Sequence, residues 1–354
     1  MTARHLTLAA AALTATMLSP LAAGAAPQSV YVFGDSLSDT GNLAETLFGA
    51  NFLNPPSFHD SFTNGPVANE LLAESRGTRA DPSLWATGFA DVHNLFGAGF
   101  VPGTNYAVAG ATATDRGANF FNLDLPEQVS AFIAHTGGAG HAPGGALYSM
   151  LIGGNDVRTA AKAGTTAFVL AGVSSELTQI QNLITDGAKQ LVVTNVPDVS
   201  LIPEFTSDKS AAGLAADAAA HADSLLYDAN LLTGVNALKA ANLGVSIAYF
   251  DLFAYNNNFL ANAGSLGFTN TTDACYTNSI TSFVPPTDSA GCGVIGPNGA
   301  ANIDQYIYWD AIHPTARAQA IVAQGLIAAV PEPMSVALLG VGMLGLAAVR
   351  RRRQ

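Results

Sequence analysis

The sequence predicts a three-layer α/β/α sandwich on a mainly parallel sheet, and three observations predict it. Apolar runs of three to six residues with little alternation recur along the chain, the pattern of strands buried on both faces. Helical patterns separate several of these runs, which suggests parallel crossovers. Apolar residues make up 49% of the 354 residues and charged ones only 11%, enough for a large core and too apolar for general disorder.

Taken in order, the strand runs are 30–33, 106–108, 147–152, 190–194 and 245–250, and the helical patterns are 126–135, 167–185, 211–241 and 314–329. No repeat or linker interrupts this body, so residues 27–329 read as one domain. In such a sheet the working surface lies beyond the carboxyl ends of the strands.

The first 26 residues have the form of a secretory signal peptide. Arg4 supplies the positive start, residues 6–18 the apolar stretch, and Ala23-Gly24-Ala25 a small-residue cleavage site, with Ala26 an equally good last residue. Setting aside Arg4 and the four arginines at 350–353 leaves 9 basic against 26 acidic residues, a net −17. A body that acidic is repelled by phosphate backbones, which argues against nucleic acid as a partner. Cys275 and Cys292, 17 positions apart in a stretch that reads as a long loop (270–297), are expected to form a disulfide after export. Such a bridge is worth about 3 kcal/mol by loop entropy.

The ends of the strand runs carry the chemistry. They are Gly34-Asp35-Ser36-Leu37, Ala109-Gly110-Ala111, Gly153-Gly154-Asn155-Asp156 and Asn195-Val196-Pro197-Asp198, with Trp309-Asp310-Ala311-Ile312-His313-Pro314 ahead of the last helix. A serine hydroxyl needs a base to take its proton, and the base needs an orienting partner. Ser36 is the candidate nucleophile, His313 the base, and Asp310 the group that holds its far ring nitrogen. Attack on an ester carbonyl creates an oxyanion, for which the backbone N–H groups of Ser36 and Gly110 and the Asn155 amide are candidate donors. Gly103 is the other glycine near the second of these blocks. Asp39 and Asn42 read as local hydrogen-bonders of the Ser36 loop, and Asp156 as loop support.

These blocks, in this order, resemble the GDSL family of SGNH hydrolases: Gly34 to Leu37, Asn105 to Gly110, Gly153 to Asp156, and Asp310 to His313. The longer stretch Phe33 to Asn42 and "FTNGPVANEL" from Phe62 to Leu71 are similar to its secreted lipase and esterase branch. The resemblance implies a flavodoxin-like sandwich, ester hydrolysis, a triad of Ser36, His313 and Asp310, an oxyanion hole with Gly110 and Asn155, and neither metal nor cofactor. Ser36 is not in the G-x-S-x-G of an α/β-hydrolase, because position 38 is serine. The other histidines lack H-E-x-x-H spacing.

Residues 330–354 read as a separate segment. Val330-Pro331-Glu332-Pro333 leads into sixteen uncharged residues and then four arginines. As a helix the sixteen span about 24 Å, short of the roughly 30 Å hydrocarbon core. The pattern resembles the PEP-CTERM sorting tail, which implies transient membrane association, cutting by an exosortase near Pro-Glu-Pro, and an exported protein that is released or left at the cell surface. A G-x-G-x-x-G at 340–345 follows no strand and is no dinucleotide site. The expected function is hydrolysis of a lipid, short-chain ester or acetylated glycan. An acyltransferase on the same site, or an idle surface protein on the same fold, are the alternatives.

Overall fold

Four of the predicted apolar runs form one sheet in the computed structural model of the chain, which describes residues 27–48, 53, 57–85, 103–116, 123–276 and 302–331. Residues 1–26, where a signal peptide is expected, most of 50–56, Cys292 and the sorting tail beyond Pro331 lie outside the described residues. β1 (Val30–Gly34), β2 (Leu147–Leu151), β3 (Gln190–Thr194) and β4 (Ser246–Phe250) lie side by side in that order, every pair parallel. β2 is buried at every position, as expected of a central strand covered on both faces.

Among the described residues, the helices of seven residues or more are α1 (Asn42–Phe48), α2 (Ala68–Ser75), α3 (Leu125–His135), α4 (Gly154–Ala163), α5 (Ala167–Asp186), α6 (Ala211–Ala241), α7 (Leu252–Asn262) and α8 (Ala316–Ala329). Strand alternation sorts the core into two layers. Phe33, Tyr148, Met150, Leu191 and Val193 pack with Phe132 of α3, Val157 of α4, Ile180 of α5 and Leu231 of α6. Val30, Val32, Leu147, Leu151 and Val192 face the other way, onto Leu72 of α2 and Leu326 of α8. The three-layer α/β sandwich is therefore as the sequence predicts. The last helix begins later than 314, because Thr315 is its cap and accepts the Ala318 N–H.

Two expectations are corrected. Residues 106–108 form no regular strand. Instead the backbone at 104–108 runs along the free edge of β1 through three hydrogen bonds: Val32 N–H to Thr104 (3.0 Å), Tyr106 N–H to the Val32 carbonyl (2.7 Å) and Val108 N–H to Gly34 (3.1 Å). It holds two isolated bridges, Asn105 to Val32 and Asn105 to Pro82, in place of a regular ladder, and the side chains of Asn42 and Asn105 add to its backbone hydrogen bonds. Counted second in chain order, it gives the spatial order 2-1-3-4-5 of flavodoxin-like sheets. The order reverses between β1 and β2, so the crevice at their carboxyl ends is the switch point.

The stretch expected as a long loop is the second correction. Its start forms β5 (Asn270–Ala274), parallel to β6 (Tyr306–Tyr308). Four of the five β5 side chains are polar and none is fully buried, so no apolar run signals a strand; the neighbouring β6 backbone supplies its pairing.

Candidate active site

β1 ends at Gly34, where a Cβ would collide with the Leu151 carbonyl of β2, so only glycine allows this approach. The chain then turns. The Asp35 carbonyl accepts the N–H groups of Ser38 and Asp39, and its carboxylate accepts the Leu37 N–H, each at 3.0 Å. Ser36 stands at this turn with Oγ 2.7 Å from His313 Nε2. On the other side of the ring, Nδ1 lies 2.9 and 2.8 Å from the two Asp310 carboxylate oxygens.

Asp310 is itself fixed. Its Oδ1 accepts the backbone N–H groups of Ile312 (2.8 Å) and His313 (2.7 Å). With Nδ1 on the carboxylate, the ring proton belongs there and Nε2 accepts from the Ser36 hydroxyl. Asp310 and His313 are 0% and 2% exposed and Ser36 9%, so the arrangement is dry on all sides but the serine's. The three residues named from sequence come together in hydrogen-bond order.

Gly110 has φ +79 with open space where a side chain would lie, so its conformation rather than its packing calls for glycine. Gly103 differs: it is wedged against the carbonyls of Asp81 and Pro82. Among the described residues, neither the Gly110 nor the Ser36 backbone N–H has a hydrogen-bond partner. Asn155, in the first turn of α4, donates from Nδ2 to the Ala111 carbonyl at 2.8 Å. That bond sets its amide beside Gly110 and leaves one amide hydrogen with no partner among the described residues.

Sequence reasoning undervalued the residues that hold this loop. Asn42 is not local: its Nδ2 donates to the carbonyls of Asn105 (2.8 Å) and Ala107 (2.9 Å), and its Oδ1 accepts the Leu84 N–H (2.8 Å). Asp39 accepts the N–H groups of Gly41, Asn42 and Leu43 and also that of Ala109. Asp156 accepts Ala113 N–H (2.8 Å) and the Thr114 hydroxyl (2.8 Å). The block from Phe62 has a task too. The Phe62 ring lies 5.3 Å from that of His313, Thr63 Oγ1 donates to the Pro314 carbonyl, and Asn64 Oδ1 accepts Ala316 N–H at the start of α8. The only sequence signal for these ties is the polar residues within 33–42, 62–71 and 153–156.

Burial pushes the Asp35, Asp39 and Asp156 carboxyls up to about 6, against the pull of the N–H groups they accept. Burial also works to raise Glu204, but Arg158 and Lys162 outweigh it and hold that carboxyl below its ordinary value. Among the described residues, no group of three or more His, Cys, Asp or Glu is arranged to hold a metal ion. Cys275 is fully buried and donates its N–H to Tyr308, while its expected partner Cys292 lies outside the described residues.

A family model described as GDSL-like Lipase/Acylhydrolase matches residues 30–326, and one described as PEP-CTERM protein-sorting motif matches residues 329–353. Two Arabidopsis thaliana proteins, GDSL esterase/lipase APG and GDSL esterase/lipase At3g50400, are 25% and 28% identical over 84% of this chain, which is 90% and 86% of their own. Lipase 1 of Photorhabdus luminescens is 30% identical over 56% of this chain and 27% of its own length. The crystal structure of an extracellular lipase from Streptomyces rimosus covers 85% of this chain and 99% of its own, with 16% identity and a TM-score of 0.36, too low to add to the fold described above. The family match spans the whole body from β1 into α8, and the chain therefore belongs to the GDSL-like lipases and acylhydrolases, a family of ester hydrolases, with a PEP-CTERM sorting motif at its C-terminal end.

Proposed function

We propose that the chain is an exported serine hydrolase that cleaves carboxylic esters through an acyl-enzyme on Ser36. One observation carries the reading: Ser36 Oγ, His313 Nε2, His313 Nδ1 and Asp310 stand in an unbroken hydrogen-bonded line of 2.7 to 2.9 Å.

In this reading the Ser36 hydroxyl attacks the ester carbonyl carbon while its proton passes to His313 Nε2. Asp310 stabilises the imidazolium that results. The carbonyl oxygen becomes an oxyanion, facing the two unpartnered N–H groups of Ser36 and Gly110 and the spare amide hydrogen of Asn155. As the tetrahedral intermediate collapses, the C–O bond to the alcohol breaks and His313 returns its proton to the leaving oxygen. Water then attacks the acyl-serine with His313 as base, and the acid leaves.

Processing belongs to the same proposal. Signal peptidase removes residues 1–26 or one fewer, the domain occupies 27–329, and an exosortase cuts near Pro331-Glu332-Pro333 after the tail has engaged the membrane. Cys275 pairs with Cys292, as suits an exported chain with one of the two thiols fully buried.

A chain-length series of p-nitrophenyl esters, run beside an acetylated xylan, tests the activity and ranks lipid, short-chain ester and acetylated glycan as substrates. Labelling by a fluorophosphonate tests the nucleophile. Hydrolysis together with one label on Ser36 is expected. Folded protein that neither turns over any ester nor takes the label would refute the reading.

A further inference from the structure

Resting on the assignment of Asn155 as an oxyanion donor, we propose that Arg158 is a positioning residue that sets and strengthens that donor, with Glu204 as its anchor. Three observations lead there. Arg158 stands three residues after Asn155 on α4, on the same helix face, and donates from Nη1 to Asn155 Oδ1 at 2.7 Å. Its other two nitrogens are taken by one carboxylate: Nε bonds Glu204 Oε2 at 2.7 Å and Nη2 bonds Glu204 Oε1 at 2.8 Å. Glu204 also donates its backbone N–H to the Ala311 carbonyl at 2.8 Å, inside the loop that holds Asp310 and His313.

The geometry decides which end of the Asn155 amide faces the site. Oδ1 points at a guanidinium and Nδ2 at the Ala111 carbonyl. Turning the amide over would set its N–H groups against the cation and its oxygen against a carbonyl, so both neighbours reject the flip. One hydrogen of Nδ2 is occupied by Ala111, and the other is left for substrate.

The charge on Arg158 does more than orient. Drawing electron density toward Oδ1 leaves the conjugated Nδ2–H more positive, so the bond it donates to an oxyanion strengthens, as in any polarised hydrogen-bond chain. The bidentate grip of Glu204 holds the guanidinium plane, and lysine has no fork to reproduce it. Lys162, 2.7 Å from Glu204 Oε1, adds a second positive charge on the carboxylate. The same glutamate thus links the donor side of the site with the loop of the base.

The test is a double-mutant cycle read as kcat and KM on one activated ester. Asn155→Ala alone should lower kcat by about 10² to 10³. Arg158→Ala alone should lower kcat by about 10-fold and leave KM within about 3-fold, because the interaction is made in the transition state. In the Asn155→Ala background, Arg158→Ala should change kcat by less than about 2-fold, since its target is gone. The same 10-fold loss in both backgrounds would overturn the proposal and leave the oxyanion assignment standing. Near-normal kcat in folded Asn155→Ala would remove that assignment and this proposal with it. If Arg158→Ala does not fold, Arg158→Lys decides the matter: it keeps the charge beside Glu204, should lose most of the same kcat factor, and should lose none of it once Asn155 is alanine. Full activity of Arg158→Lys overturns the proposal.

Discussion

Asp39 Oδ2 accepts the backbone N–H of Ala109 at 2.8 Å, so the turn that carries Ser36 is tied directly to the residue before Gly110. The same buried carboxylate accepts three more N–H groups, from Gly41, Asn42 and Leu43. Asp39→Ala strands those donors, and the unfolding free energy should fall by about 3 kcal/mol in denaturant titration. The kcat should fall as well, because Gly110 loses its fixed neighbour. Unchanged stability would mean that the loop is held elsewhere.

Ser36 and Ser38 can be separated by one experiment. Ser38 Oγ accepts from Asn69 Nδ2 at 2.8 Å in the core, whereas the hydroxyl on His313 Nε2 is that of Ser36. Ser36→Ala should abolish fluorophosphonate labelling and essentially all turnover, while Ser38→Ala should keep both at a cost of about 1 kcal/mol in stability. Adding His313→Ala to Ser36→Ala should cost little more turnover, because the two act as a unit. A labelled Ser36→Ala protein would point to another serine.

Gly110→Ala tests conformation against space. The φ of +79 disfavours alanine by about 1 kcal/mol, although no atom stands in its way. A modest loss of thermal stability is expected together with a larger fractional loss of kcat, since relaxing the backbone turns the N–H away. A drop in stability with kcat intact would remove Gly110 from the proposed oxyanion donors.

Asp228 on α6 gives a pH prediction. Its Oδ1 accepts the Val196 N–H at 3.1 Å, its Oδ2 is buried with no hydrogen-bond partner among the described residues, and burial, then Asp251 and Asp198, push its carboxyl up to about 8. The unfolded group releases its proton near pH 4. Its contribution to stability is therefore full below about pH 4 and is lost as pH rises through about 8, at about 1.4 kcal/mol per pH unit between the two. Asp228→Asn should remove that slope, so that the variant gains on wild type between pH 6 and pH 8 in chemical denaturation. A constant difference over that range would mean that the folded carboxyl is already ionised at pH 6.

Removing the sorting segment should leave the enzyme intact if the cut is placed correctly. Arg76 donates to the carbonyls of Val330 (3.1 Å) and Pro331 (3.3 Å), so both residues belong to the folded body. A chain ending at Pro331 should match full-length protein in kcat/KM and Tm, whereas one ending at Ala329 should melt lower. Loss of most activity in the folded Pro331 truncation would give the tail a role in the body.

The sequence by itself determined most of the elements and singled out Ser36, His313 and Asp310 as the candidate residues. Strand runs such as 147–152 and helices such as Ala211–Ala241 are legible because burial on two faces and helical period are local patterns. Asp310 and His313 are legible for a similar reason: three residues of chain are enough to bring the carboxylate to Nδ1. Tertiary structure alone decided what the other polar residues of these blocks do. Asn42 finds its acceptors 63 and 65 residues away, Asp156 its donors 43 and 42 residues back, and Arg158 its carboxylate 46 residues on. It also made 104–108 a pinned edge and 270–274 a strand. A buried polar side chain must find a hydrogen-bond partner, but which one depends on the elements that packing brings alongside, and no local pattern in the chain encodes that choice.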